Sequence, residues 1–563
     1  MNGGDVLGHT RSLCPVCLKS LDAALERRED SVFITRTCPE HGVFSGLVWR
    51  GEPALERWHR PKQPSLSVGR ETVVGQGCPH DCGRCPEHGQ HACTVLFEIT
   101  DQCNLRCPVC FADAGGETPG GSSRTGIPIL SKPVEYGCGL RTHLPGPGPR
   151  TRQMGVDSVP DSAMGTAASQ PASSGPEGAG GRALYTALPI LTEQLQWIRE
   201  HAGEVVLQIS GGEPTLHPDL PELVRAAREM FPAVQLNTNG LLLADRPGLA
   251  EALARAGLSW VFLQFDGTDD AIFTALRGRP LLQSKLRAIE RCRQAGLAVV
   301  LVPTVAAGVN DHDLGNLLRL AIRHAPTVRG LHLQPMTAAG RNALAQGSAP
   351  LTLPEVLRAI CDQSGGLMRP EHATPPGCEH ERCSFHCRYR LSPSGALTPL
   401  RGDAPCCVRP DVGGGDCCPG PGQAERESVS GTGAAPDIAP APGSTPDATL
   451  EGARRAIDTI MRVWQPSDAP GTGAAAPAGD AFDAFIRQAR NRSFSVTCMA
   501  FQDARNVDLA RLRGCCVHVY APPARLVPFC AYNMTALDGT ALHRKKESSA
   551  REQPHQGNNR APK

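Results

Sequence analysis

Residues 94–114 read TVLFEITDQCNLRCPVCFADA. The first seven, Thr94–Thr100, are mostly β-branched and aromatic residues that predict a strand. The strand runs directly into Cys103-Asn-Leu-Arg-Cys107-Pro-Val-Cys110, a C-x3-C-x2-C loop. Three thiolates at this spacing suit three corners of a cubane iron–sulfur cluster and leave the fourth iron without a protein ligand. By spacing alone, a zinc site or an unrelated cysteine group stays open.

Downstream, Leu191–His201 predicts a helix and Val205–Ser210 a strand that enters Gly211-Gly212-Glu213-Pro214. Glycines at a strand end let backbone groups approach a ligand closely. The alternation continues with strand-like runs at Val234–Thr238, Trp260–Phe265, Ala298–Val305 and Gly330–Gln334. Helical runs fall at Leu220–Met230, Leu249–Ala256, Lys285–Gln294 and Leu314–His324. Six strands alternating with helices imply an α/β fold with parallel pairing and right-handed crossovers. Six units are too few for the eight-stranded barrel, so a partial barrel is expected, with its chemistry at the strand C-termini.

The chain has 563 residues, with Lys+Arg 57 against Asp+Glu 56, a balance that gives no footprint for nucleic acid. Its 24 cysteines fall mostly in short-spaced groups, and the start MNGGDVLGHTRS shows no apolar signal segment. Metal in a reducing cytosol fits this better than disulfides. The longest apolar run, around Leu297 to Val309, is too short to cross a bilayer. A Cys/His-rich leader over 1–93 precedes the 94–337 core. Two Gly/Pro/Ala/Ser-rich stretches, about 115–182 and 401–479, read as disordered insertions with incidental cysteines (Cys138, Cys417, Cys418). Residues 338–400 and 480–541 form a cysteine-rich C-terminal region, and 542–563 a solvated basic tail.

Within the leader, Cys14-Pro-Val-Cys17 and Cys38-Pro-Glu-His41 form two knuckles around a hairpin-like SVFITRT, four ligands for zinc or mononuclear iron. Cys78, Cys82, Cys85 and Cys93 make a compact group suited to a fully ligated [4Fe–4S] cluster, and zinc would use the same ligands. Cys378, Cys383, Cys498, Cys515, Cys516 and Cys530, with Cys387 nearby, supply candidates for a further auxiliary cluster. Cys292 and Cys361 sit on predicted helices as core cysteines. Asn237, Asn239, Gln264 and Asp266 stand at later strand ends as candidate cofactor contacts, or as ordinary turn formers. Arg277 could pair with a carboxylate, with a solvated surface arginine as the plainer reading.

The cysteine loop placed before GGEP resembles the radical S-adenosylmethionine (SAM) superfamily, over roughly 94–114 and 183–337. That resemblance implies a partial (β/α)6 barrel with SAM chelating the open iron, and cleavage of SAM to a 5′-deoxyadenosyl radical for C–H activation. It implies that Cys103, Cys107 and Cys110 are catalytic cluster ligands. It also implies that Gly211, Gly212 and Glu213 contact the SAM amino group. LCPVCLKS, TCPEHGVF, CPHDCGRCPEHGQHAC, ISGGEPTLHPDL and SFSVTCMAFQDARNVDLARLRGCCVHV together resemble the tetraether lipid synthase group. Members of that group are also labelled 7,8-dihydro-6-hydroxymethylpterin methyltransferases. The implied reaction is carbon–carbon bond formation between lipid alkyl chains, with C-methylation of a pterin or other small molecule as the alternative. The expected partners are a lipid or small-molecule substrate and an electron donor such as flavodoxin or ferredoxin. The expected place is the cytoplasm, with peripheral contact at the inner membrane face.

Overall fold

The computed structural model describes residues 5–60, 72–83, 85–115, 185–342, 350–400, 454–455, 457–461, 464 and 492–544. All of them belong to one compact unit; the other unit, Glu117–Leu184, lies outside the described residues.

The leader begins as a four-stranded antiparallel meander: β1 (Asp5–Leu13), β2 (Ser20–Arg28), β3 (Ser31–Cys38) and β4 (Gly42–Arg50). The stretch read as hairpin-like is β3, and its alternation buries Val32, Ile34 and Arg36 on one face. Buried Arg36 donates to the Leu13, Ile34 and Ala504 carbonyls, which ties the meander to the C-terminal segment. Gly46 lies against that same segment: a Cβ there would stand 1.9 Å from the Arg505 oxygen.

The core then follows as β5 (Thr94–Glu98), the two-residue β6 (Val109–Cys110), α1 (Leu188–Ala202), β7 (Val206–Ser210), α2 (Leu220–Met230) and β8 (Ala233–Thr238). Next come α3 (Leu241–Asp245), α4 (Leu249–Arg255), β9 (Trp260–Gln264), α5 (Asp270–Arg277), α6 (Leu282–Gln294), β10 (Val299–Val302) and β11 (Thr304–Val305). After these lie α7 (Leu314–Arg323), β12 (Val328–Pro335), β13 (Arg341–Asn342) and α8 (Leu353–Gln363). Helix α2 shows why the helices form where they do. Its Leu220, Leu223, Val224 and Ala227 recur at helical spacing and are buried against the sheet, and a proline sits in its first turn. Truncating Leu223 to Ala would cost about 2–5 kcal/mol. Helix α8, which carries Cys361 as expected, opens with a Thr352/Glu355 capping box.

The six expected strands pair in parallel in the order β12-β10-β9-β8-β7-β5. The sheet does not stop there. It is extended by β14 (Ser384–Leu391), β15 (Leu397–Pro399), β16 (Ser493–Met499), β17 (Val517–Ala521) and β18 (Arg525–Pro528). Strand β16 joins parallel to β12, and β17 joins parallel to β5 at the opposite edge. The curled partial barrel therefore carries one C-terminal strand on each flank, followed outward by antiparallel β14 and β18. Gly330 permits the first junction, since a Cβ there would lie 2.0 Å from the Ser495 oxygen.

Three expectations change. Residues 454–464, inside the stretch read as a disordered insertion, include helical positions; Ile457 is buried, and Trp464 stacks edge-on to Trp260 and Phe262. Apolar spacing was missed there because Gly and Pro dominate its surroundings. His543 and Arg544, read as solvated tail, are anchored: His543 pairs with the Pro79 carbonyl, and Arg544 forms two hydrogen bonds to Glu98. Arg277 is not a surface residue but 8% exposed. Residues 116–184, 401–453, 465–491 and 545–563, with Cys138, Cys417 and Cys418, lie outside the described residues. Among those described, no helix is long and apolar enough to cross a membrane.

Candidate active site

A cavity of about 320 Å³ fills the inside of the curled sheet. Alternate residues of each strand face it, such as Gln208 and Ser210 from β7, Gln235 and Asn237 from β8, and Phe262 and Gln264 from β9. Its mouth, at the strand C-termini, carries Cys103, Cys107 and Cys110 together with Gly211 and Gly212. Its floor, at the strand N-termini, reaches Cys93 and Glu379.

The cysteine loop is held by backbone contact with GGEP. The Gly212 N–H donates to the Thr100 carbonyl and the Glu213 N–H to the Gln102 carbonyl, each at 2.8 Å. A Cβ at Gly211 or Gly212 would come within 2.3 Å of those carbonyl oxygens. The two glycines thus first serve the approach of the loop, and their remaining face lines the cavity. Glu213 is fully buried and turns its carboxylate inward. It accepts from the Thr215 N–H and hydroxyl, the Thr238 hydroxyl and the Asn239 N–H. Its carboxylate ties the end of β7 to the end of β8, a role the sequence does not disclose.

Two arginines clamp the loop from other sides. Arg277, at the end of α5, pairs with Asp266 through Nε and Nη2, both at 2.7 Å, and also donates to the Val109 carbonyl and the Thr304 hydroxyl. Asp266 accepts the Thr304 N–H as well and does not line the cavity. Arg341, on β13, donates to the Cys107 and Ala114 carbonyls and to Asp113. Of the other strand-end residues, Asn237 accepts from Gln208 and Gln235 on the cavity wall, and Asn239 donates to Asn104 of the cysteine loop. Gln264 accepts from Lys285.

The charges around the loop suit a cationic centre. Burial, with Glu213 and the other two thiols adding to it, pushes the Cys103 thiol up to about 11. Burial also raises Cys107, against the lowering effect of the neighbouring Arg277 guanidinium. The Cys103 and Cys107 thiols, which resist ionisation alone, become thiolates when a metal's positive charge is among them. The residues therefore fit a three-thiolate cluster.

The other cysteines sort differently from their order in the chain. The ligand atoms of Cys14, Cys17, Cys38 and His41 lie within 4.8 Å of one another, as the knuckle spacing implies. Cys93 departs from Cys78, Cys82 and Cys85: its sulfur groups with those of Cys378 and Cys516. Cys383 accepts a hydrogen bond from buried Arg511, and burial raises the nearby Cys515 and Cys530 thiols. The adjacent Cys515 and Cys516 thus serve two different neighbourhoods. Cys498 joins neither; it is fully buried in β16, opposite Phe385. Cys292 and Cys361 are core residues, as expected.

On the wall near the floor, His332 donates to or accepts from the Thr497 hydroxyl at 2.8 Å, and burial pulls its pKa down to about 4. His386 stands 3.7 Å from Glu379 and 3.0 Å from the Ser384 hydroxyl. Nothing in the sequence patterns singles out these residues, because they come from two distant segments.

This fold and site define a radical SAM enzyme, and residues 185–321 match the radical SAM superfamily model. That match begins at Tyr185, beyond the cysteine loop, which is joined to it by the contacts described above. The superfamily uses a [4Fe–4S] cluster and SAM. Residues 6–50 match the HMPTM N-terminal zinc ribbon domain. Over 95% of its length the chain is 28% identical to the 7,8-dihydro-6-hydroxymethylpterin dimethyltransferase of Methanocaldococcus jannaschii, covering 94% of that protein. It is 36% identical to the GTP 3′,8-cyclase of Chlorobaculum tepidum over 23% of this chain and 39% of the cyclase. Among solved structures, SuiB of Streptococcus suis bound to its precursor peptide SuiA aligns with a TM-score of 0.32 at 12% identity, over 48% of this chain and 45% of that one.

Proposed function

We propose that the chain is a radical SAM enzyme that modifies carbon centres of a small polar heteroaromatic substrate of the pterin class, most simply by C-methylation. In this reading Cys103, Cys107 and Cys110 hold the SAM-binding cluster, and Gly211 and Gly212 present backbone to the methionine end of SAM. Gln264, Asn237 and Asn239 shape the rest of its site, while Glu213 and Asp266 act from behind the wall. When bound there, cluster and SAM supply a 5′-deoxyadenosyl radical at the cavity mouth. Cys14, Cys17, Cys38 and His41 hold a mononuclear metal, zinc or iron. A reduced flavodoxin or ferredoxin is the proposed electron source.

The observation that carries the substrate class is the lining. Amide side chains from β7, β8, β9 and β12 face the cavity, with His332, His386 and Glu379 toward its floor and Phe262 and Trp464 beside them. Such a wall offers hydrogen bonds around the edge of a flat ring and aromatic faces for stacking. A saturated alkyl chain would make no use of the hydrogen-bonding capacity these side chains keep beyond the bonds they make to one another. The relative named for pterin dimethylation agrees with this choice.

The test is anaerobic incubation of the full chain with SAM, reductant and 7,8-dihydro-6-hydroxymethylpterin, analysed by mass spectrometry alongside lipid extracts. Methylated pterin with matching 5′-deoxyadenosine is the expected result. Joined lipid chains without any pterin product would overturn the substrate assignment.

A further inference from the structure

The amide side chains of the cavity wall are held in one orientation. Gln208, Gln235 and Trp260 are cross-strand neighbours on β7, β8 and β9, in register along one row. Gln208 and Gln235 line the cavity, and Trp260 is fully buried beside them. The two ends of an amide have nearly the same shape, so its partners alone decide which way it points. An indole N–H only donates, so the group that meets it must accept. Trp260 Nε1 donates to Gln235 Oε1 at 2.9 Å, which commits the Gln235 nitrogen to the other side. That nitrogen donates to Asn237 Oδ1 at 2.9 Å. Gln208 meets the same Asn237 oxygen at 2.7 Å, so it too must offer its nitrogen. The Gln208 carbonyl oxygen is left over, and it bonds to no described residue. One donor-only group thus sets three amides in turn.

A second acceptor stands on β12. Thr497 has one hydroxyl hydrogen and donates it to the Leu331 carbonyl at 3.3 Å. Its 2.8 Å bond to His332 then holds only if the His332 Nδ1–H is the donor. Burial pulls the pKa of that ring down to about 4, so it is neutral near pH 7. A neutral imidazole protonated at Nδ1 keeps a lone pair at Nε2. His332 lines the cavity, and its Nε2 bonds to no described residue. The Glu379 carboxylate, at the floor, is a third acceptor on the same cavity.

We propose that Gln208 Oε1, His332 Nε2 and the Glu379 carboxylate form an acceptor set that binds the substrate through its N–H groups, and that Trp260 is the positioning residue that turns the Gln208 oxygen to the cavity. Such a set selects a heterocycle with several N–H groups over one of the same shape that lacks them, because each missing donor leaves an acceptor unpaired. The choice of ligand rests on the pterin reading; the order of the amides does not.

The test is equilibrium dialysis of the full, anaerobically reconstituted chain without SAM or reductant. The probes are 7,8-dihydro-6-hydroxymethylpterin and its 2-desamino analogue, which keeps the rings and lacks the exocyclic N–H pair. The parent should bind the pterin at least about tenfold more tightly than the analogue. Gln208→Met and Trp260→Phe should each cut that preference to about threefold or less, the second although it removes no cavity-lining group. Trp260→Phe added to Gln208→Met should narrow it no further. Equal binding of both probes by the parent overturns the acceptor set. A preference lost in Gln208→Met but kept in Trp260→Phe overturns the positioning role. A parent that binds neither probe overturns the pterin reading, and a ligand-free arm then decides on Trp260. In denaturant unfolding the effects of Trp260→Phe and Gln208→Met should depart from simple multiplication by about threefold or more, although β8 stands between their strands. Effects that simply multiply overturn the chain of amides.

Discussion

The mouth and the floor of the barrel each gather three cysteines, but they are built in opposite ways. At the mouth the three thiols lie within one loop, and the fold's work is to clamp that loop with GGEP, Arg277 and Arg341. At the floor, Cys93 and Cys516 are 423 positions apart in the chain, and strand pairing together with the Gln90–Cys378 contact creates the site. A local site is fixed by spacing and tuned by its surroundings. A distributed site exists only once the sheet has formed, so its chemistry and the stability of the flanking strands are linked.

The largest contrast should come from variants that empty one end at a time. Replacing Cys103, Cys107 and Cys110 together by Ala is expected to lower 5′-deoxyadenosine formation on the order of 1,000-fold or more. Cys516→Ser should leave that cleavage within about threefold, since the mouth loop and its clamps are untouched. A fall as large as that of the mouth variant would erase the distinction between the two ends.

The clamps at the mouth come next. Arg277→Met leaves Asp266 buried without its partner and should cost about 3–5 kcal/mol in denaturant unfolding. The Asp266→Asn, Arg277→Met double variant should recover part of that loss. Glu213→Gln keeps the shape of a side chain that accepts four hydrogen bonds but offers one acceptor oxygen in place of two. A loss of about 1–3 kcal/mol is expected, read by the same unfolding measurement.

A further contrast, read through pH, concerns Lys285, fully buried on α6, where its ammonium donates to Gln264. Burial lowers its pKa from 10.5 to about 7. Between those values the unfolded chain holds a proton that the folded chain lacks, so this lysine makes stability rise with pH over that window. Below pH 7 both states are charged, and its contribution no longer changes. Lys285→Met should flatten the rise, and an unaltered slope would contradict this assignment.

The same comparison explains what the sequence discloses. The cysteine loop, GGEP and the six alternating strands are legible because each signal is local: thiol spacing, a glycine turn, apolar periodicity. Strand β8, expected at Val234–Thr238, forms over Ala233–Thr238. The extra strands β16 and β17 are no less apolar, yet nothing in their own residues says which edge of the sheet each will join. Cys93 was grouped with its neighbours Cys78, Cys82 and Cys85, because proximity in the chain is the only distance a sequence offers. Arg277 was read as solvated because its partner's orientation, away from the cavity and into the wall, is a tertiary fact. The Glu379, His386 and His332 constellation leaves no trace in any local pattern.

The central claim is that the mouth cysteines support reductive cleavage of SAM. Anaerobically reconstituted protein with strong reductant and SAM should yield 5′-deoxyadenosine and methionine in equal amounts, and the protein lacking Cys103, Cys107 and Cys110 should yield neither. Fully iron-loaded wild-type protein that never forms 5′-deoxyadenosine under those conditions would contradict the account.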